Sequence, residues 1–81
     1  MTHKYELQHR FVCPVDKKSI NYRISLTSDF CIMVEEIEDF FNSYPTEALQ
    51  EQLVQDLKDK FPTATICAIA THGRVRITSK K

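Results

Sequence analysis

Two different hydrophobic periods occur in this chain, and their order limits the folds that it can adopt. Apolar and polar residues alternate near both ends of the sequence, as they do in half-buried β-strands. Between residues 28 and 61 the apolar residues recur instead at helical spacing, most regularly at Leu49, Leu53, Leu57 and Phe61. This order predicts an α+β fold of the form ββααββ, in which a four-stranded antiparallel sheet carries two helices on one face.

Turn and cap residues divide the pattern into elements. The predicted elements are strands at 5–12 and 21–26, helices at about 29–42 and 46–61, and hairpin strands at 64–71 and 74–78. Ser28 or Asp29 is a suitable N-cap for the first helix, and Thr46 is a suitable N-cap for the second. Their side-chain oxygens can accept hydrogen bonds from the unpaired backbone N–H groups of the first helical turn. In the closing hairpin, Val75 and Ile77 are predicted to face inward.

Length and composition predict one small globular domain spanning residues 1–81. With 42% hydrophobic and 27% charged residues the chain is typical of globular proteins, and a domain of 81 residues has a marginal core unless partners add to it. No apolar run approaches the roughly 20 residues that cross a bilayer, and the N-terminus lacks the apolar core of a signal peptide. We therefore expect a cytoplasmic protein that has no membrane partner.

The three cysteines do not follow a disulfide or metal-binding pattern. Cys13, Cys31 and Cys67 are an odd number at wide spacings, whereas disulfide frameworks use even numbers and zinc knuckles use closely spaced pairs. The three histidines are scattered as well. The sequence therefore predicts neither a disulfide framework nor a metal site.

Charge is segregated although the net charge is zero. The predicted helical segment 28–61 is strongly acidic and both predicted hairpins are basic, so the sheet face away from the helices should collect Arg10, Arg23, Arg74 and Arg76. This face could simply be solvated, or line a barrel of several copies around an anionic or purine-like ligand. It could also bind nucleic acid phosphates. The absence of base-stacking aromatic residues on this face weakens that third interpretation.

Cys13 is the strongest candidate for a nucleophile. It follows a strand and lies in a turn near Arg10, Lys17 and Lys18, whose positive charges favour the thiolate form that a nucleophile requires. The competing interpretation is that Cys13 is a small apolar residue filling the end of a strand.

Glu47 is the second candidate, because it is predicted in the first turn of the second helix. A carboxylate there interacts favourably with the helix dipole, which explains the residue without any ligand. The same carboxylate could accept two N–H bonds from the guanidine-like edge of a purine or pterin. His72 precedes Gly73 in a tight turn, a geometry that histidine tolerates, and His9 is placed as a core histidine would be.

These features together resemble the half-barrel unit of the tunnelling fold, which pterin and deazaguanine enzymes share. The local similarity is to the nitrile reductases of queuosine biosynthesis, which convert 7-cyano-7-deazaguanine to the aminomethyl base. It is carried by Val12-Cys13-Pro14-Val15, by Pro45-Thr46-Glu47, and by the closing hairpin Thr71-His72-Gly73-Arg74-Val75-Arg76-Ile77. A fainter similarity, at His9-Arg10, is to the pyruvoyl- and carboxy-tetrahydropterin synthases.

The resemblance implies a ligand site between subunits of a homo-oligomer, because a half-barrel closes only against other copies. Cys13 would attack a nitrile carbon and form a covalent thioimide. Glu47 would hold the purine-like edge, and the hairpin residues His72 and Arg74 would contact the ligand.

One departure from the reductases concerns their proton donor, an aspartate seven residues after the cysteine. This chain has Ile20 there, or Asn21 if one turn residue is inserted, and asparagine does not donate a proton as a carboxylic acid does. The zinc-binding histidine pair of the tetrahydropterin synthases is also absent. Two hypotheses follow. The first is an enzyme of deazaguanine chemistry with Cys13 and Asn21 as catalytic residues and Glu47 in the site, such as an amidine-forming or tRNA-linked relative, with its cofactor and any use of NADPH left open. The second is a non-catalytic interaction module that keeps the fold without the chemistry.

Overall fold

The four strands form one antiparallel sheet whose spatial order follows the chain. The computed structural model describes all 81 residues. Its elements are β1 (His3–Val12), β2 (Ser19–Ser28), α1 (Val34–Ser43), α2 (Gln50–Lys60), β3 (Thr65–His72) and β4 (Val75–Lys80). β2 pairs with β1 and β3, so that β1 and β4 are the edges of the sheet. The predicted ββααββ arrangement is confirmed.

The core lies between one face of the sheet and the two helices. Along β2 the predicted inward residues Tyr22, Ile24 and Leu26 are buried, and from α2 the side chains of Leu53 and Leu57 pack against them. Burial of alternate strand residues against a helical stripe accounts for both periods in the sequence. Neither helix has the length and apolar surface that crossing a membrane requires.

α1 begins later than its capping residues predict. It starts at Val34 rather than after Ser28 or Asp29. The Ser28 hydroxyl does accept a backbone bond, from the Phe30 amide at 3.0 Å, but it closes a local turn and not a helix. Serine side chains stabilise such turns as readily as they cap helices, which explains the misplaced start.

α2 also begins later than predicted, at Gln50 and not after Thr46. The Thr46 carbonyl accepts the amide of Val12 at 2.8 Å, and Glu47 forms a parallel bridge with Val12. This segment is therefore extended along the end of β1. The prediction that Glu47 lies in the first turn of the helix is wrong.

The side chains of β4 are not buried. Val75 is 62% exposed and Ile77 43% exposed, although Ile77 lies beside Ala70 on the helix side of the sheet. Both side chains are on the helix side, as predicted, but β4 is an edge strand that the helices cover only in part, so neither side chain is buried. Leu49, at the N-cap of α2, is likewise 55% exposed.

The face of the sheet away from the helices carries three of the four predicted arginines. Arg10 lies opposite Asn21, Arg23 opposite Gln8, and Arg76 opposite Thr71. Arg74 instead lies in the turn between β3 and β4. None of the four arginines forms an ion pair.

The two helices are joined by Tyr44, the residue that follows α1. Its hydroxyl donates to the Asp56 carboxylate at 2.6 Å, and its ring stacks on Phe40 with centroids 5.0 Å apart. Burial, and then the bond to Asp56, raises the pKa of Tyr44 well above its ordinary value. The neutral phenol therefore acts as a stable hydrogen-bond donor between α1 and α2.

Candidate functional site

The loop between β1 and β2 is a hydrogen-bonded turn that presents Cys13 and Asp16. The Cys13 amide donates to the Lys18 carbonyl and the Lys17 amide donates to the Cys13 carbonyl, both at 2.9 Å. The Lys18 amide donates to Oδ1 of Asp16 at 3.0 Å. Lys17 adopts a left-handed φ of 62°, a conformation unusual for a non-glycine residue. These bonds fix the positions of the thiol and the carboxylate relative to each other.

The closing hairpin brings His72 against this loop. Nε2 of His72 lies 3.2 Å from Oδ2 of Asp16, and the Cys13 sulfur lies within 4.8 Å of a donor atom of each of these two residues. The bond from the Lys18 amide lowers the pKa of Asp16 most. Partial burial opposes this, and Cys13 and His72 lower the pKa further. We call Cys13, Asp16 and His72 the Cys-Asp-His cluster. Its three side chains are also the ones that could hold a metal ion, because their ligand atoms all lie within 4.8 Å of one another.

A cleft of about 340 Å³ opens beside the Cys-Asp-His cluster. Cys13 and His72 line it, together with Ile20, Tyr22, Ala48, Leu49, Gln50, Glu51, Ala70, Ile77 and Ser79. Most of this lining is apolar, and the volume is in the range of small-molecule sites. Burial raises the pKa of Tyr22, and the charge of the neighbouring Cys13 raises it further. The cleft therefore has room for a small molecule beside a thiol.

Glu47 lies beside the loop but is engaged by a neighbouring side chain. Nζ of Lys17 is 2.5 Å from its Oε1, an ion pair that is open to solvent. The carboxylate that lines the cleft is instead that of Glu51, in the first turn of α2. Next to it, Gln50 donates its amide to the carbonyls of Ala68 and Ile77 at 3.0 and 3.1 Å, which fixes the start of α2 to β3 and β4.

The structure separates Asn21 from Cys13. Asn21 lies on the face of the sheet away from the helices, where its side-chain oxygen accepts the Nε–H of Arg10 at 3.3 Å. Cys13 opens onto the helix side. Arg74 is in the turn next to His72 and does not line the cleft. Of the candidate residues, Cys13 and His72 are therefore brought together, with Glu47 near them through Lys17.

Asp16 was not predicted from the sequence to belong to the site. Its position three residues after Cys13, in the same turn, was visible in the sequence. Its partner His72 is distant in the chain and becomes a neighbour only when both hairpins are in register. Tyr22, Gln50 and Glu51 were also not assigned to a site, since nothing in their local sequence distinguishes them from core or helix-surface residues.

Comparison with known proteins identifies the fold. No protein-family model matches this sequence, and no curated protein matches it. Among solved structures, the apo form of the archaeosine synthase QueF-Like superposes with a TM-score of 0.85, covering 99% of this chain and 90% of that one at 19% sequence identity. Similarity at this identity establishes the fold and leaves function to be argued from the site. The chain therefore has the fold of the archaeosine synthase QueF-Like, in agreement with the tunnelling-fold resemblance of its sequence.

Proposed function

We propose that this protein binds a flat heterocycle of the purine, pterin or deazaguanine type in the cleft and that Cys13 attacks a nitrile carbon on it. The observation that carries the proposal is the position of the Cys13 thiol, in the wall of a mainly apolar cleft and close to Asp16 and His72, whose side chains contact each other. Apolar walls suit the faces of an aromatic ring, and a few polar groups fix its orientation. The fold shared with an archaeosine synthase and the resemblance to the nitrile reductases support this ligand class.

The chemical step is an addition that needs no oxidant or reductant. The Cys13 sulfur bonds to the nitrile carbon, one carbon–nitrogen π bond breaks, and the nitrogen takes the proton that the thiol gives up. Asp16 and His72 are the groups next to the thiol that could carry this proton. Asn21 has no part in this step because it lies on the other face of the sheet.

We further propose that a second copy of the chain completes the cleft. Leu49 and Ile77 line the cleft and are nevertheless exposed, and β4 is an unpaired edge next to them. A neighbouring subunit on this edge would bury both side chains and close the mouth of the cleft. Glu47 and Arg74 would then lie near the rim of the closed cleft. If a ligand replaced Lys17 as the partner of Glu47, the Glu47 carboxylate would be able to bind a purine-like edge.

Covalent capture tests this proposal. The full chain is incubated with 7-cyano-7-deazaguanine and its intact mass is measured; we expect an increase equal to the whole mass of the nitrile, because addition expels no leaving group. Cys13→Ala should give no adduct, while the matched variants Cys31→Ala and Cys67→Ala should react like the original chain.

Two outcomes would overturn the nucleophile. An adduct that persists in Cys13→Ala would place the reaction at another residue. No adduct in the original chain, together with no reversible binding by calorimetry, would reject the ligand class and favour the non-catalytic interaction module. Reversible binding without an adduct would retain the site and remove the chemistry.

Nucleic acid binding is a second candidate function, favoured by the unpaired arginines of the open face. Arg10, Arg23 and Arg76 lie there without ion pairs, and phosphates are their natural partners. We expect affinity for an RNA oligonucleotide to fall with salt, and Arg76→Ala to reduce the slope of log affinity against log salt by about 1. The control Lys60→Ala, at the end of α2, should leave the slope unchanged. Binding that is independent of salt would reject this function.

A further inference from the structure

We propose that the Cys-Asp-His cluster is also a binding site for a single divalent transition-metal ion of the zinc class. Such a site was not predicted from sequence, because its three ligands come from the first turn and from the last hairpin. It goes beyond the proposed function, since metal binding requires no nitrile and no second subunit. The inference rests on the donor types, their distances and the local charge.

The donors are those that zinc-class ions prefer. A thiolate sulfur from Cys13, an imidazole nitrogen from His72 and a carboxylate oxygen from Asp16 all converge. Sulfur and nitrogen donors select borderline and soft ions, whereas magnesium and calcium are bound by oxygen alone. Three protein ligands of this kind leave one position of a tetrahedral ion open, as in catalytic rather than structural zinc sites.

The distances are close to those of a formed site. Bonds of 2.0–2.3 Å to a tetrahedral ion place neighbouring ligand atoms about 3.3–3.8 Å apart. Nε2 of His72 and Oδ2 of Asp16 are already 3.2 Å apart, and the Cys13 sulfur is within 4.8 Å of a donor atom of each residue. A side-chain movement of about 1 Å would therefore suffice. The Lys18 amide, on Oδ1 of Asp16, supplies the kind of outer hydrogen bond that orients metal-binding carboxylates.

The local charge suits a doubly positive ion. The Cys13 thiolate and the Asp16 carboxylate together neutralise it, and neutral His72 adds no charge. Lys17, in the same loop, is paired with Glu47 at 2.5 Å, so its ammonium is held by another anion. The exposed Lys18 side chain opposes the ion only through a solvent-screened interaction.

Metal binding has a direct consequence for the thiol. A metal-bound Cys13 has its sulfur lone pair engaged, so it cannot at the same time add to a nitrile. Because Cys13 and His72 also line the cleft, water or a ligand in the cleft would supply the fourth donor. The ion and the covalent adduct are therefore mutually exclusive states of one site.

Cobalt titration of the chelator-treated full chain tests the site, since Co²⁺ occupies zinc sites and its spectrum reports the ligands. We expect one ion per chain, a thiolate-to-cobalt charge-transfer band in the near ultraviolet, and loss of that band when Zn²⁺ is added. Cys13→Ser should abolish the band. His72→Gln and Asp16→Asn should weaken affinity at least about 100-fold, because even outer hydrogen-bond partners of a metal site contribute 10–100-fold.

Matched substitutions outside the cluster separate a real site from surface binding. Cys67→Ser, His3→Gln and Asp29→Asn remove the same functional groups elsewhere and should leave cobalt affinity unchanged. Binding without a charge-transfer band, or binding unaffected by His72→Gln in a variant that circular dichroism shows to be folded, would overturn the proposal. No nitrile is used, so this failure is distinguishable from failure of covalent capture.

Discussion

Replacing Phe11 by alanine should lower the free energy of unfolding by about 3–5 kcal/mol. The Phe11 side chain is 1% exposed, and its ring centroid lies 4.7 Å from that of His9, 5.1 Å from Tyr22 and 5.9 Å from Tyr44. Truncation removes these contacts and leaves a cavity that rigid neighbours fill only in part. Because small domains have a total stability of about 5–15 kcal/mol, this loss is a large share of it.

Chemical denaturation followed by circular dichroism measures this effect, with Phe30→Ala as the matched control. Phe30 is 67% exposed, so the same change of side chain should alter the free energy of unfolding by no more than about 0.5 kcal/mol. Equal losses in the two variants would show that Phe11 is not at the centre of the core.

The second large effect is expected at Leu57, where substitution by alanine should cost about 2–5 kcal/mol. Leu57 is 0% exposed and lies on the face of α2 that packs on the sheet. Thermal and denaturant unfolding of Leu57→Ala give the size of the loss. A loss under about 1 kcal/mol would mean that α2 is not closely packed on the sheet.

Leu49→Ala is the control for Leu57→Ala, and it also reports on assembly. Leu49 belongs to the same sequence periodicity but is exposed beside the cleft, so in a single chain its loss should be nearly neutral. If a neighbouring copy covers it, the substitution should instead weaken association, which sedimentation measures as a lower average mass.

The faces of the strands were predictable because successive side chains of a strand point to opposite faces, so each residue has only two possible orientations. Once Tyr22, Ile24 and Leu26 face the core, Arg23 between two of them must face away, and so must Arg10, which lies opposite Asn21. The starts of the helices were not predictable in this way. Ser28 and Thr46 have the chemistry of N-caps, but one closes a local turn and the other gives its carbonyl to β1, and only the folded chain distinguishes these uses.

The candidate site was predictable where it is local and unpredictable where it is not. Cys13 could be identified because the residues that form its turn, including the two lysines, are close to it in the sequence. Asn21 was identified by its distance along the chain from Cys13, yet strand alternation places it opposite Arg10 on the other face. The pairing of Asp16 with His72 depends on the register of two hairpins and on β2–β3 pairing, which no local pattern specifies.

The match between strand order and chain order determines how the cost of folding is distributed. Each terminal hairpin can form by closing only a short loop, and closing a short loop costs little conformational entropy. Only the pairing of β2 with β3 must close the long loop that contains both helices. We therefore expect the main kinetic barrier to folding to be the pairing of β2 with β3. The two hairpins should form earlier, as separable folding units.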